Sequence, residues 1–158
     1  MKKLILLLAA LTLMACSDKA EQTKVPAPAL PAAGAEGKAF LEANASKPGV
    51  VVLPGGLQYL VLKSGSGRSP GPTDTVVTHY HGTLIDGKVF DSSVNRGEPL
   101  EFPLNRVIKG WTQALQLMKE GDKWRLFIPP ELAYGARKTG SIPPYSTLIF
   151  DVELIKVK

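Results

Sequence analysis

Apolar positions recur along this chain with two different periods, and the change from one to the other marks its elements. Leu57 to Lys63, Thr75 to Leu84, Lys88 to Phe90 and Leu100 to Leu104 are short runs rich in β-branched and aromatic residues, bounded by Gly, Pro and Asp as strands are. Trp124, Leu126 and Ile128 alternate onto one face of the next run, and Pro129-Pro130 stops it because proline cannot donate to a ladder. Leu148, Phe150, Val152 and Leu154 alternate within a last strand from Thr147 to Val157. Between these runs the period lengthens. Trp111, Ala114, Leu115 and Met118 fall at i, i+3, i+4 and i+7, one apolar stripe on a helix of about two turns, with Gly121 placed as its cap. Five or six strands and one amphipathic helix predict an α+β domain with the helix on one face of an antiparallel sheet.

The N-terminal third has neither period. Lys2 and Lys3 precede an apolar stretch from Leu4 to Leu13, too short to span a bilayer and of the length of a signal-peptide core. It ends in LMAC, which resembles the bacterial lipobox, so Cys16 is expected to become the lipidated first residue of the mature protein. Ser17 after that cysteine, where Asp would favour the inner membrane, points to the outer one. From Ser17 to about Ala35 the chain is rich in Ala and Pro. Pro26, Pro28 and Pro31 predict an extended tether. Glu36 to Ala45 can then form about two helical turns, with Phe40 and Leu41 as its large apolar contacts. The division that follows is 1–15 signal peptide, 16–47 lipidated tether with a short helical segment, and 48–158 a single domain.

Composition narrows the function. Hydrophobic residues make up 44% of the 158, enough for a packed core. The net charge of +5 falls to +3 once the leader lysines are set aside, and no run of basic residues gives a nucleic-acid reading support. Cys16 is the one cysteine, so no internal disulfide is available. His79 and His81 share a strand face, yet two histidines without a third ligand read as surface residues, and no metal or cofactor is expected. The basic pair Arg137-Lys138 reads as solvated.

What remains is a set of spaced motifs. THYHGTLIDGKVFDSS runs from Thr78 to Ser93, VIKGW from Val107 to Trp111, AYG from Ala133 to Gly135, SIPPY from Ser141 to Tyr145 and LIFDVEL from Leu148 to Leu154. Together, and in this order over about residues 48–158, they resemble the FKBP family of peptidyl-prolyl cis–trans isomerases, most of all its bacterial Mip-like branch, as a short lipoprotein form. The resemblance implies an FKBP-like sheet of five to six strands curved around one short amphipathic helix. It implies an aromatic pocket of Tyr80, Phe90, Trp111, Tyr134 and Phe150 with Trp111 as floor, and Asp91 at its edge paired with Arg96. Val107, Ile108 and Ile142 match the aliphatic lining, with the Ile108 N–H donating to the ligand carbonyl. Seen singly, Trp111 and Phe150 would be core residues and Asp91 a turn cap. Their recurrence as a set reverses that reading.

Such a pocket suits one chemistry. Rotation about an X–Pro bond breaks amide resonance against a barrier of about 18–20 kcal/mol. It needs no nucleophile or metal, only a site that favours the twisted amide over the planar one. Two departures bear on the rim: Leu100 stands where many family members carry phenylalanine, and the loop between Tyr134 and Ile142 is short and lacks histidine. The expected substrates are proline-containing polypeptides exported across the membrane, with macrolide immunophilin ligands as further candidate occupants. A tethered client-binding chaperone is the alternative. The long helical arm of larger Mip-like proteins has no counterpart here, which gives a monomer as the expectation.

Overall fold

The structure, a computed structural model, describes residues 31–158. The expected signal peptide, Cys16, Pro26 and Pro28 lie outside the described residues. Seven strands follow in chain order: β1 Val50–Val52, β2 Gln58–Lys63, β3 Thr75–Leu84, β4 Val89–Ser92, β5 Leu100–Pro103, β6 Lys123–Ile128 and β7 Leu148–Val157. Three helices accompany them: α1 Ala32–Ala45, α2 Ser93–Arg96 and α3 Lys109–Leu115. The strands form one antiparallel sheet in the order β1-β2-β6-β7-β3-β4. β5 pairs the N-terminal half of β3, and β4 its C-terminal half. The domain is α+β, with one strand more than the sequence pattern predicts. The extra strand is β1, three successive valines that show no alternation to reveal them.

The two ten-residue strands, β3 and β7, lie side by side and set the register of everything else. Leu84 opposes Leu148, Gly82 opposes Phe150, Tyr80 opposes Val152 and Thr78 opposes Leu154. With a period of two, all of these point to one face, and α3 covers it with Trp111, Ala114 and Leu115, all buried. Burying one such large side chain contributes about 1.5–3 kcal/mol, so this layer is the main core. The helix approaches the sheet closely at Gly110, where an added Cβ would lie 2.5 Å from Ile128 Cγ2. Any side chain there would push α3 outward.

Two helical expectations are corrected. The tether was drawn to Ala35, but α1 begins at Ala32, directly after Pro31, whose carbonyl accepts from the Gly34 N–H at 2.8 Å. A proline costs nothing at that position, because a helix leaves its first N–H groups unpaired. Pro31 therefore marks the start of the helix and does not exclude it. α1 lies on the opposite face of the sheet from α3: Phe40 meets Phe127 at 6.0 Å between ring centroids, and the Asn44 side chain donates to Gln58 Oε1 at 2.9 Å. At the other helix, α3 ends at Leu115, not at Gly121. Met118 is fully buried but sits in the following turn, where the Asp122 carboxylate accepts the Lys119 N–H at 2.7 Å. The Gly121 N–H donates to the Leu154 carbonyl and holds that turn against β7.

Candidate functional site

The α3-covered face is not closed at its end. Tyr80 from β3, Phe90 and Asp91 from β4, Phe102 from β5, Val107 and Ile108 before α3, Trp111 on α3, Tyr134 and Ile142 from the loop before β7, and Phe150 on β7 enclose a cavity of about 580 Å³. Trp111 lies at the bottom and meets Tyr80, Phe102 and Phe150 edge-on, with centroids 5.3, 5.7 and 5.3 Å apart. Phe90 stands edge-on to Phe150 at 5.3 Å. Edge-to-face pairs add about 0.5–1.5 kcal/mol beyond area burial and fix each ring against the next. Room for two of these rings depends on Gly82: a Cβ there would sit 2.7 Å from Phe90 and 2.9 Å from Phe150.

One edge of the cavity is polar and held tightly. Tyr80 donates its hydroxyl hydrogen to Asp91 Oδ2 at 2.6 Å, while Arg96 reaches Asp91 Oδ1 at 2.5 Å and the Tyr80 oxygen at 2.9 Å. The one-turn helix α2 places Arg96. Ser92 caps that helix by accepting the Asn95 N–H at 3.1 Å, so the cap is Ser92 and not Asp91. Ser93, fully buried, accepts the Tyr80 N–H at 2.8 Å and ties the turn to β3. Burial works to raise the Asp91 carboxyl, but the hydrogen bonds from Tyr80 and Arg96 outweigh it and hold the group below its ordinary 3.8. Burial first, and the bond to Asp91 second, push the Tyr80 hydroxyl up. Tyr134 is raised in the same direction by burial and by the charge of Asp91. At neutral pH both phenols are therefore protonated and Asp91 is ionised.

Opposite in character, the Ile108 N–H donates to no acceptor among the described residues. It stands at the N-cap of α3, half-buried on the cavity wall. An N–H there leaves a donor open to an incoming carbonyl.

Of the residues singled out by sequence, Tyr80, Phe90, Asp91, Val107, Ile108, Trp111, Tyr134, Ile142 and Phe150 line this one cavity. Arg96 stands behind it, bound to two of them. Leu100 does not line it: the side chain packs half-buried against the core, and Phe102, two residues on and so on the same strand face, supplies an aromatic to the wall. Arg106 and Arg137 also line the cavity, although Arg137 read as merely solvated. His79 and His81 lie within hydrogen-bonding distance of Ser93 and Ser92, at 3.0 and 2.9 Å.

Comparison with known proteins decides the family. Residues 66–155 match the profile of FKBP-type peptidyl-prolyl cis-trans isomerases. The chain belongs to the FKBP family. Residues 8–61 match the domain that precedes the isomerase in FKBP-type proteins. The chain is 56% identical over 125 residues to "Outer membrane protein MIP" of Legionella longbeachae, covering 78% of this chain and 54% of that one. It is 58% identical over 127 residues to the "FKBP-type 22 kDa peptidyl-prolyl cis-trans isomerase" of Escherichia coli, covering 80% and 62%. The chain thus spans little more than half the length of these two relatives. Among solved structures, the crystal structure of FkpA from Escherichia coli superposes with a TM-score of 0.77 at 53% identity, over 80% of this chain and 59% of that one. A peptidyl-prolyl cis-trans isomerase from Pseudomonas syringae pv. tomato superposes at 0.76 with 41% identity, over 84% and 99%. The Mip-like branch of the FKBP family is the part these relatives represent.

Proposed function

We propose that this FKBP-family chain accelerates cis–trans rotation about X–Pro bonds in exported polypeptides, working from the envelope membrane to which Cys16 anchors it. The observation that carries the reading is the aromatic cavity itself: five rings locked edge to edge, with the unpaired Ile108 N–H on the wall, the unpaired Trp111 indole N–H at the floor and one acid on the rim. In this reading the proline ring stacks on Trp111 between Tyr80, Phe90, Tyr134 and Phe150, while Val107 and Ile142 grip its flanks. The Ile108 N–H donates to a substrate carbonyl and fixes that side of the bond. The planar amide is the more polar form and loses more hydration in such a pocket, so the twisted form gains relative to it. Asp91, kept ionised and in place by Tyr80 and Arg96, sits where the rotating carbonyl swings and holds the rim open to it. Uncatalysed rotation takes tens to hundreds of seconds, slow enough to limit folding of secreted chains.

The relatives named for an outer membrane protein and for isomerases support the envelope setting and the activity. The lipidated Cys16 and the outer-membrane location rest on the leader sequence. The cis-to-trans rate of an X–Pro peptide with the full chain, with and without a macrolide immunophilin ligand, tests the proposal. A rate above the uncatalysed one that falls on adding the ligand is expected. A folded chain that leaves the uncatalysed rate unchanged overturns the isomerase reading and leaves a client-binding module.

A further inference from the structure

Charge around the cavity is unbalanced. Its lining holds one acid, Asp91, and two arginines, Arg106 and Arg137. Asp91 is already engaged by a third arginine, Arg96, which stands outside the lining. The five ion pairs among the described residues are Lys38–Glu42, Arg68–Asp74, Arg96–Asp91, Arg125–Asp151 and Lys158–Glu101. Arg106 and Arg137 take part in none of them, and both are exposed. They come from separate elements. Arg106 closes the 3-10 turn Leu104–Arg106 ahead of Ile108. Arg137 lies on the loop after Tyr134, which the mutual bonds of Thr139 and Ile142, at 3.1 and 2.9 Å, fold back on itself. Two guanidiniums without counter-charges thus share one cavity with an aromatic floor. Lys109 and Lys138, the neighbours of Ile108 and of Arg137, are exposed as well.

We infer that the pocket prefers proline segments that carry acidic residues flanking the X–Pro pair, with Arg106 and Arg137 as the residues that set this preference. The inference rests on the prolyl-isomerase reading of the same cavity and names its substrate class. A proline seated over Trp111 leads its flanking residues out across the rim, where carboxylates meet the two guanidiniums and lysines meet like charge. Arginine suits this role because its planar fork pairs with a carboxylate through two bonds at once. Both side chains are solvated, so the effect belongs to encounter and orientation more than to tight holding, and it must weaken as salt screens it.

The test uses the full chain and three peptides sharing one Phe-Pro core, flanked on both sides by two glutamates, two glutamines or two lysines. The expected order of kcat/KM is Glu above Gln above Lys, with a Glu-to-Lys ratio of roughly tenfold at low salt. That ratio should shrink to about twofold near 1 M salt, where the screening length is only about 3 Å. The double variant Arg106→Gln, Arg137→Gln should bring the low-salt ratio close to one, whereas Arg125→Gln on the opposite face should leave it in place. A ratio near one in the unaltered chain that still catalyses the Gln peptide overturns the inference and leaves the isomerase reading standing. If no peptide is catalysed, the isomerase reading fails by itself. Fluorescence titration of the same peptides then reads the preference directly: equal affinities overturn it, and tighter binding of the Glu peptide supports it.

Discussion

The two faces of one sheet carry hollows of similar size whose charged groups are placed differently. On the α3 side, about 580 Å³ is floored and largely walled by rings, with its one carboxylate held at the edge by Tyr80 and Arg96 and with the exposed Arg106 and Arg137 also in its lining. On the α1 side, about 680 Å³ lies between the helix and the strands, lined by Phe40, Leu60 and Phe127 but also by Lys47, His81, Arg125 and Asp151. There Arg125 grips Asp151 with two bonds of 2.6 and 2.8 Å across β6 and β7. The same strands build both: on β3 Tyr80 faces one hollow and His81 the other, and on β7 Phe150 and Asp151 divide in the same way. Volume therefore does not distinguish a site for a prolyl amide. An aromatic floor whose open donors are the Ile108 N–H and the Trp111 indole N–H does, because it penalises the planar amide, whereas a floor carrying an ion pair would solvate it.

Substitutions can break this contrast, and the largest effect should come from the floor of the α3 side. Trp111→Leu removes ring contacts that contribute about 1.5–3 kcal/mol, and kcat/KM for an X–Pro peptide should fall by tenfold to a hundredfold. The melting temperature, measured on the same sample, separates this from unfolding. Asp91→Asn keeps the shape but loses the charge in the Tyr80 and Arg96 bonds, and should lower kcat/KM roughly tenfold. The pH profile sharpens the point. Because the Asp91 carboxyl lies below 3.8 in the folded chain, its contribution is present above that value and is lost only as pH falls through the lowered one. Activity should thus be level through neutral pH and decline only in acid. The smallest effect belongs to the α1 side. Arg125→Met should change stability by no more than about 1 kcal/mol and leave kcat/KM within about twofold, since a partly exposed pair contributes little.

Much of this was legible in the chain, for physical reasons that also explain the omissions. Alternation in β7 is legible because each face has a distinct environment, but it gives no strand order, and in the sequence Tyr80 and Phe150 come together only through the family resemblance. The helix α1 was partly hidden because Pro31 suppresses a helical reading from within but tolerates one from the first turn. Phe102 carried a usable signal, since it shares a strand face with Leu100 and is the aromatic of that face. Arg106 and Arg137 carried none. Which exposed charges face a cavity depends on how two loops fold toward each other, and no local period records that.

The most direct test of the account sets Trp111→Leu beside Arg125→Met, one from each hollow, and measures the cis-to-trans rate of one X–Pro peptide with both folded proteins. The account predicts a tenfold to hundredfold fall in catalysis in the first and retention in the second. Equal rates in the two, whether both kept or both lost, would contradict the assignment of the chemistry to the aromatic side of the sheet.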